Sequence, residues 1–208
     1  MNRYVGIGAL GVICLASGAA SAFQNYQVYG LIGQKWAKLN GAAGPLGAPR
    51  SSEADTGDRL GRYNDFQHGF IYWRRGTPEA FAVYGLIGQK WNALGRERGF
   101  GYPTTDERVG PSGGRYNHFD KNATIAWHPA TGAHVVHGLI RDEWLKRQSG
   151  LRPGDRCGYP KTDEYQQGVY RRSNFQKGYI LWRPGWAKAQ AHCAVTIDDG
   201  PVLNPVDD

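Results

Sequence analysis

The sequence has no apolar segment long enough to cross a membrane, and its one strongly apolar stretch lies at the beginning. That stretch runs from Tyr4 to Ala16, which is shorter than the roughly 20 residues of a spanning helix. Arg3 precedes it, and Ala20-Ser21-Ala22 follows as a small-x-small cleavage site. The pattern predicts a secretory signal peptide at residues 1–22 and excludes a transmembrane segment. We therefore expect a protein that is secreted, periplasmic or associated with the cell wall.

Catalytic and metal-binding motifs are also missing. The sequence contains no Gly-x-Ser-x-Gly, no His-Glu-x-x-His and no phosphate-binding loop. His134 and His137 form a close pair without a cysteine or carboxylate at ligand spacing, so no metal and no other cofactor is predicted. Adjacent carboxylates such as Asp106 and Glu107 point apart on a strand or loop, which does not suit glycoside cleavage. We predict no catalytic residue; a cell-wall hydrolase or esterase is kept as an alternative.

Cysteine is scarce, with three residues in the whole chain. Cys14 lies in the signal peptide, so Cys157 and Cys193 remain after processing. In an oxidising compartment two cysteines predict one disulfide. Such a bond would stabilise the fold by about 3–4 kcal/mol in the chain-entropy model. The alternative is two separate buried thiols.

The charge is unevenly distributed. The formal net charge is +7, yet residues 194–208 form a tail with four aspartates and no basic residue. The rest of the mature chain is therefore more basic than the total, which favours anionic partners such as acidic glycans. No helix or patch concentrates the charge, so nucleic acid is not predicted as a partner. Scattered solubilising Arg and Lys side chains are the alternative explanation.

The chain repeats one pattern three times at a period of about 54 residues. A repeat of this length indicates one supersecondary unit per copy, with neighbouring copies completing each other's core. We place the copies at residues 23–82, 83–135 and 136–193. Each opens with a Gly-Leu-Ile-x3-Trp segment, at Gly30–Trp36, Gly85–Trp91 and Gly138–Trp144.

Each copy is predicted to contain a helix, a tight turn and a β-hairpin. Apolar residues at i, i+4 and i+7 predict the amphipathic helix. An apolar-Gly-x-Pro segment follows, in which the Gly permits an unusual backbone angle and the Pro prevents a helix. The hairpin ends on an Ile-x-Trp strand, whose alternation places Ile and Trp on one face.

Six of the seven tryptophans occupy two fixed positions per copy, which predicts a packing role in the core. Trp186 belongs to neither position and is the candidate for an exposed aromatic residue. The predicted core tryptophans are Trp36, Trp91 and Trp144 in the helices and Trp73, Trp127 and Trp182 in the hairpins.

A glutamate and an arginine also recur in every copy, at nearly constant separation. We predict that they form ion pairs that lock the loop to the strand. The alternative is that the glutamates face a ligand. The pairs are Glu53 with Arg62, Glu107 with Arg115, and Glu164 with Arg171.

These motifs resemble the LGFP repeat over nearly all of the mature chain, from about Tyr26 to about Trp186. The resemblance implies a cell-envelope module of the kind found attached to mycoloyltransferases, amidases and esterases, where it is thought to hold the enzyme on wall polysaccharide. Larger arrays resemble a closed ring. The expected fold is therefore an α+β repeat, in which three helix–turn–β-hairpin units pack in a pseudo-symmetric, propeller-like single domain.

The leading functional hypothesis is an exported, non-catalytic module that binds cell-wall or extracellular polysaccharide through repeated weak sites. Sugar recognition needs flat aromatic rings and polar groups beside them. A protein-binding accessory subunit or inhibitor of a secreted enzyme is the alternative, with the tail and Trp186 as its first contacts. The candidate glycan-binding residues are Tyr72, Tyr102, Tyr159 and Trp186, with Arg74, Arg75 and Arg183.

Overall fold

The computed structural model describes residues 26–149 and 157–193. The predicted signal peptide and the acidic tail lie outside these residues. The described chain folds into three four-stranded antiparallel sheets with short helices between them, an α+β architecture. Each sheet is a simple meander, so strands adjacent in sequence are adjacent in space.

The first copy begins with helix α1 (Gly30–Lys38). The first sheet follows it and contains β1 (Ala54–Asp55), β2 (Gly61–Asp65), β3 (Gly69–Arg74) and β4 (Phe81–Tyr84).

The second copy begins directly after β4, with α2 (Gly85–Ala93) and a short α3 (Arg96–Phe100). The second sheet contains β5 (Arg108–Val109), β6 (Arg115–Phe119), β7 (Ala123–His128) and β8 (Gly132–His137).

The third copy begins with α4 (Gly138–Ser149). The third sheet contains β9 (Tyr165–Gln167), β10 (Tyr170–Phe175), β11 (Gly178–Trp182) and β12 (Gln190–Cys193).

The predicted hairpin is the centre of each sheet, and the prediction missed a strand on either side of it. The first strand of the first two sheets is only two residues long. The fourth strand runs straight into the next helix, so the predicted copy boundaries at 82/83 and 135/136 fall inside β4 and β8.

The predicted turn is confirmed, and it is bound to the hairpin in the same way in each copy. Its Gly has a positive φ of 73° at Gly47, 88° at Gly101 and 76° at Gly158. The Pro that follows forms a β-bridge with the Phe at the end of the first hairpin strand. The three bridges are Pro49 to Phe66, Pro103 to Phe119 and Pro160 to Phe175.

Three apolar clusters fill the interior, and two of them lie between sheets. One cluster joins α1 to the first sheet through residues such as Ile32 and Ile71. A second joins the first and second sheets around Trp91 of α2. A third joins the second and third sheets around Trp144 of α4. Burial of these groups is the main stabilising contribution, and it couples each copy to the next.

The predicted disulfide is confirmed, because Cys157 and Cys193 are bonded. It ties the turn of the third copy to the end of β12, and the alternative of two free thiols is wrong. Within residues 26–149 and 157–193, no helix has the length and apolar character needed to cross a bilayer.

Candidate functional site

Each sheet presents an arginine and a tryptophan side by side. The register pairs Arg62 of β2 with Trp73 of β3 as directly opposite residues. Opposite residues of an antiparallel pair point to the same face and lie within contact distance. The indole of Trp73 is half-buried, so one part of it packs on the core and the other meets solvent. The same pairing joins Arg115 to Trp127 and Arg171 to Trp182.

The predicted glutamate–arginine pairs are present in all three copies. Arg62 donates to Glu53 through Nε, Arg171 donates to Glu164 at 2.7 Å, and Arg115 lies 3.4 Å from Glu107. The glutamate side chains are 10–15% exposed and the arginines 37–40% exposed. The carboxylate thus holds the guanidinium in place, and part of the guanidinium remains accessible to solvent.

The residue that precedes each helix completes the group. Tyr29 and Tyr84 occupy this position in the first two copies, and His137 does so in the third, 3.6 Å from Glu164. The helix then opens on a Gly with positive φ, for example Gly30 at 49°, where a Cβ would meet nothing within 4 Å. The backbone angle, not lack of space, therefore requires Gly at this position.

We call each of these groups a Trp–Arg–Glu cluster. In the first copy a cavity of about 210 Å³ lies over it, lined by the start of α1, Glu53, Arg62 and Trp73. The clusters consist of Trp73, Arg62 and Glu53; Trp127, Arg115 and Glu107; and Trp182, Arg171 and Glu164.

Burial affects ionisation in the second cluster. Burial raises the pKa of Glu107, and the attraction of Arg115 only partly opposes this shift. Burial also raises the pKa of Tyr84, to which the charges of Glu107 and Asp106 contribute. The ionised form of Glu107 is therefore less favoured in the fold than in water.

The third cluster has additional aromatic surface around it. Trp186 is half-buried rather than exposed, and its ring lies edge-on to Tyr170 with centroids 5.8 Å apart. The guanidinium of Arg183 lies 5.2 Å from the Trp186 ring centroid. The indole N–H of Trp182 donates to the carbonyl of Trp186 at 3.3 Å. The two predicted site residues Trp186 and Arg183 are thus brought together beside a Trp–Arg–Glu cluster.

The prediction that three tyrosines act as exposed platforms is wrong, because Tyr72, Tyr102 and Tyr159 are all buried. Tyr102 reaches back into the first copy and donates to Asp58 at 2.5 Å. Tyr159 reaches the second copy and donates to the carbonyl of Pro111 at 2.8 Å. Burial raises the pKa of each of these tyrosines. These side chains join successive copies and have no surface to offer a ligand.

Two of the predicted site arginines are held in ion pairs. Arg74 lies 2.5 Å from Asp120 of the second copy, and Arg75 lies 3.3 Å from Asp55. Arg74 also lies over the Tyr102 ring at 5.6 Å. Arg74 therefore contributes to the contact between copies.

The helix and hairpin tryptophans have different environments. Trp91 and Trp144 are buried, whereas Trp36 and the hairpin tryptophans Trp73, Trp127 and Trp182 are half-buried against the apolar clusters. Each helix indole N–H donates to the carbonyl of the turn Gly, at 3.1 Å for Trp36, 3.3 Å for Trp91 and 2.9 Å for Trp144. The helix tryptophan thus fixes the turn.

Sequence reasoning missed two lysine–aspartate contacts between copies. Lys35 of α1 lies 2.6 Å from Asp106, and Lys90 of α2 lies 2.5 Å from Asp163. Each aspartate also accepts a backbone N–H from the edge of the preceding sheet, at Ala82 and Val135. The recurring Lys before the helix Trp and the Asp three residues after the turn Pro were the available signal.

A larger cavity of about 390 Å³ lies between the second sheet and the third copy, lined by residues such as Tyr116, His118 and Tyr159. Burial lowers the pKa of His118 to about 4, and the charges of Arg141 and Arg108 add to this shift. Across the described ranges, no three His, Cys, Asp or Glu side chains are grouped so as to hold a metal ion.

The fold and these clusters define a repeat protein built from sheet-and-helix units that share interfaces. The family model of the LGFP repeat matches residues 46–99 and 100–149, half of the chain, and the protein therefore belongs to the LGFP repeat family. Each match begins near the turn and ends after the next helix, so the family unit is a sheet with the helix that follows it. No curated protein sequence matches the chain.

Proposed function

We propose that this protein is an exported, non-catalytic module that binds cell-wall or extracellular polysaccharide through its three Trp–Arg–Glu clusters. The observation that carries the proposal is the recurrence of a half-exposed indole opposite a partly exposed guanidinium in every sheet. Its proposed location is outside the cytoplasm: secreted, periplasmic or on the cell wall.

The chemistry of the cluster suits a sugar ring. An indole offers a flat apolar surface with a polar edge, on which the C–H face of a pyranose can lie. A guanidinium presents several N–H donors in a fixed fork, and the paired carboxylate holds that fork in place. One such contact is weak. Three on one chain convert later contacts into intramolecular events and raise the avidity for a repeating polymer.

The placement of the clusters supports binding to a polymer. The same Lys–Asp contact joins the first copy to the second and the second to the third. We infer that successive copies are related by similar rotations, as blades are in a pseudo-symmetric, propeller-like arrangement. Such an arrangement would present the clusters at regular intervals to a chain of identical sugars.

Two features favour binding over hydrolysis. Each cluster glutamate is paired with its arginine, so no cluster supplies the two differently placed carboxylates that an acid and a nucleophile need. The adjacent aspartates Asp106 and Asp163 accept backbone N–H groups and pair with lysines. Both carboxylates of each pair thus have structural partners.

The test is retention of the mature chain on insoluble peptidoglycan and on other purified wall glycans. We expect the wild type to be retained, and we expect Trp73→Ala, Trp127→Ala and Trp182→Ala to weaken retention cumulatively. Loss of two clusters should lower the apparent affinity by roughly 10²-fold, since avidity is lost. Tyr102→Phe and Tyr159→Phe are matched controls, because they change only buried hydroxyl groups. No retention on any glycan, or full retention by the folded triple variant, would reject the proposal.

A protein partner is the second candidate, with the chain as an accessory subunit or inhibitor of a secreted enzyme. The observation in its favour is a set of large aliphatic side chains exposed near the first strand of each sheet: Leu60, Val109 and Val169. Replacing these three residues by Ser should leave glycan retention intact and abolish binding to such an enzyme. Loss of glycan retention in that variant would count against the separation of the two functions.

A further inference from the structure

The chain contains one nine-residue segment twice, and its two copies have different surroundings. Residues 28–36 and 83–91 both read VYGLIGQKW. In the second occurrence Val83 and Trp91 are fully buried, because α2 lies between two sheets. In the first occurrence Val28 and Trp36 are half-buried and Tyr29 is 56% exposed. The same side chains therefore leave a packing surface uncovered at the start of the array.

Among the described residues, the end of the array has the opposite surface partly exposed. Helix α2 packs on one face of the first sheet. That face includes Tyr72 and Val83, which are buried. The register places Leu181 and His192 of the third sheet at these positions, where Leu181 is half-buried and His192 is exposed. This outer face of the third sheet also carries Tyr179, at the position of Phe70.

Helix and sheet residues complement each other in size at the two internal junctions. In the first junction Gly88 of α2 faces Phe70, whose ring would lie 3.9 Å from a Cβ at Gly88. In the second junction the helix position carries Arg141, which donates to Thr124 at 2.6 Å. An aromatic ring on the sheet is thus paired with Gly on the helix, and a small side chain on the sheet is paired with Arg on the helix. The third sheet has a ring, Tyr179, so the helix that fits it has Gly at this position.

Helix α1 meets this requirement with Gly33, which corresponds to Gly88 in the repeated segment. Lysine and aspartate also couple the internal junctions, and both are replaced at the two ends of the array. The helix lysine of the first two copies is Glu143 in the third, and the aspartate of the last two copies is Ser52 in the first.

These two replacements are compatible with each other. Glu143 and Ala191 line a groove of about 410 Å³ at the edge of the third sheet. Ala191 corresponds to Ala82 and Val135, whose N–H groups bind the aspartates. Glu143 is paired with Arg147 at 2.8 Å, and it cannot replace the helix lysine as a partner for an aspartate. A serine hydroxyl can donate to Glu143 and accept from the Ala191 N–H.

We propose that a second copy of this chain packs its α1 and Ser52 against the outer face of the third sheet, head to tail, in the geometry of the internal junctions. Head-to-tail contacts close into a ring when the rotation permits it. Two chains would then complete each other's uncovered surfaces. This inference rests on packing and is independent of the proposed glycan binding.

Light scattering after size-exclusion chromatography of the mature chain tests the proposal. The wild type should have at least twice the mass of a single chain, and Gly33→Arg should reduce it to one. Arg is tolerated at this helix position, as Arg141 shows, so the variant should fold. Adding Tyr179→Thr to Gly33→Arg recreates the Arg141–Thr124 match and should restore the larger species.

Gln34→Arg is the matched control, since Gln89 at the same position of the repeated segment stays exposed in the internal junction. This variant should keep the larger mass. Ser52→Asp together with Glu143→Lys should keep the larger mass, because the two changes recreate the Lys–Asp pair of the internal junctions.

A single-chain mass for the wild type at every concentration would overturn the proposal. If that monomer also lost thermal stability on Gly33→Arg, the surfaces would be meeting within one chain. If the monomer associated only after removal of residues 194–208, the tail would be the occupant of the outer face. A larger species that is insensitive to Gly33→Arg would overturn it as well.

Discussion

The ammonium group of Lys35 lies 2.6 Å from the carboxylate of Asp106, a residue 71 positions further along the chain. The Lys35 side chain is 5% exposed, and a carboxylate oxygen of Glu79 lies 3.4 Å from its ammonium group. This ion pair therefore joins the first helix to the second copy through a buried ammonium group and a carboxylate that is 35% exposed. The equivalent pair, Lys90 with Asp163, is 24% and 35% exposed.

We predict that Asp106→Asn is more destabilising than Asp163→Asn. The asparagine keeps an acceptor for the backbone N–H of Ala82 but removes the negative charge that offsets the positive charge of Lys35. Removing one partner of a buried pair costs about 3–5 kcal/mol, and an exposed pair contributes about 0–1 kcal/mol. Because Asp106 is 35% exposed and Glu79 remains near the ammonium group, the cost should lie between these two ranges. The measurement is the free energy of unfolding in urea; equal losses in the two variants would show that burial does not control this contact.

Two of the cluster glutamates should respond differently to replacement by glutamine. Glu164 accepts a hydrogen bond from Arg171 at 2.7 Å and lies 3.6 Å from His137, whereas Glu107 lies 3.4 Å from Arg115 and has a raised pKa. The ionised form of Glu107 is thus less favoured in the fold than in water. We expect Glu164→Gln to lower the free energy of unfolding by about 1–3 kcal/mol and Glu107→Gln by less. Thermal melts at pH 7 check the order, and the reverse order would contradict it.

His118 predicts a loss of stability in mild acid. Its pKa is lowered to about 4 by burial and by Arg141 and Arg108, while an unfolded histidine titrates near its usual value of about 6.5. Below pH 6.5 the unfolded chain takes up a proton that the folded chain refuses until about pH 4. Stability therefore falls as the pH drops through this window. Because the ring is half-buried, solvent screening limits the effect to about 1 kcal/mol.

The measurement is the melting temperature of the wild type and of His118→Asn between pH 4 and 7. Asn can still meet Thr124 and Arg141 with polar atoms but does not titrate. The difference between the two proteins should vary with pH and level off above pH 7. A constant difference would show that His118 is as easily protonated in the folded chain as in the unfolded one.

Reduction of the disulfide should loosen the third copy before the others. The bond between Cys157 and Cys193 closes 36 residues and holds the turn against the end of β12. Its loss should cost about 3–4 kcal/mol. Hydrogen exchange is expected to show lower protection in β11 and β12, with amides of β2 and β3 protected by their own apolar clusters. Cys157→Ala with Cys193→Ala serves as a control for the reductant, and uniform loss of protection would contradict the prediction.

Local spacing in the sequence predicted much of this fold. The helix starts, the Gly-x-Pro turn, the glutamate–arginine pairs and the disulfide depend on residues of fixed identity at fixed separations. The first strand of each sheet escaped prediction because two or three residues show no clear alternation.

The tyrosines show why the binding surface was harder to predict. Alternation along β3 places Ile71 on the core face and Tyr72 on the opposite one, which suggested exposure. Helix α2 covers that opposite face, so both residues are buried. Sequence periodicity assumes one solvent-facing side, and a sheet packed on both sides violates this assumption. Because both sheet faces are packed, the aromatic residues that remain half-exposed include the hairpin tryptophans.

The helix between two sheets also has a consequence for how such a chain can grow. Because α2 and α4 belong equally to the copies on either side, a duplication that includes a sheet and its following helix brings both halves of a new interface with it. The added segment would find matching partners at each of its ends, and no interior side chain would need to change. Arrays of different lengths are thus accessible in single evolutionary steps, whereas a cut between a sheet and its helix leaves two incomplete products.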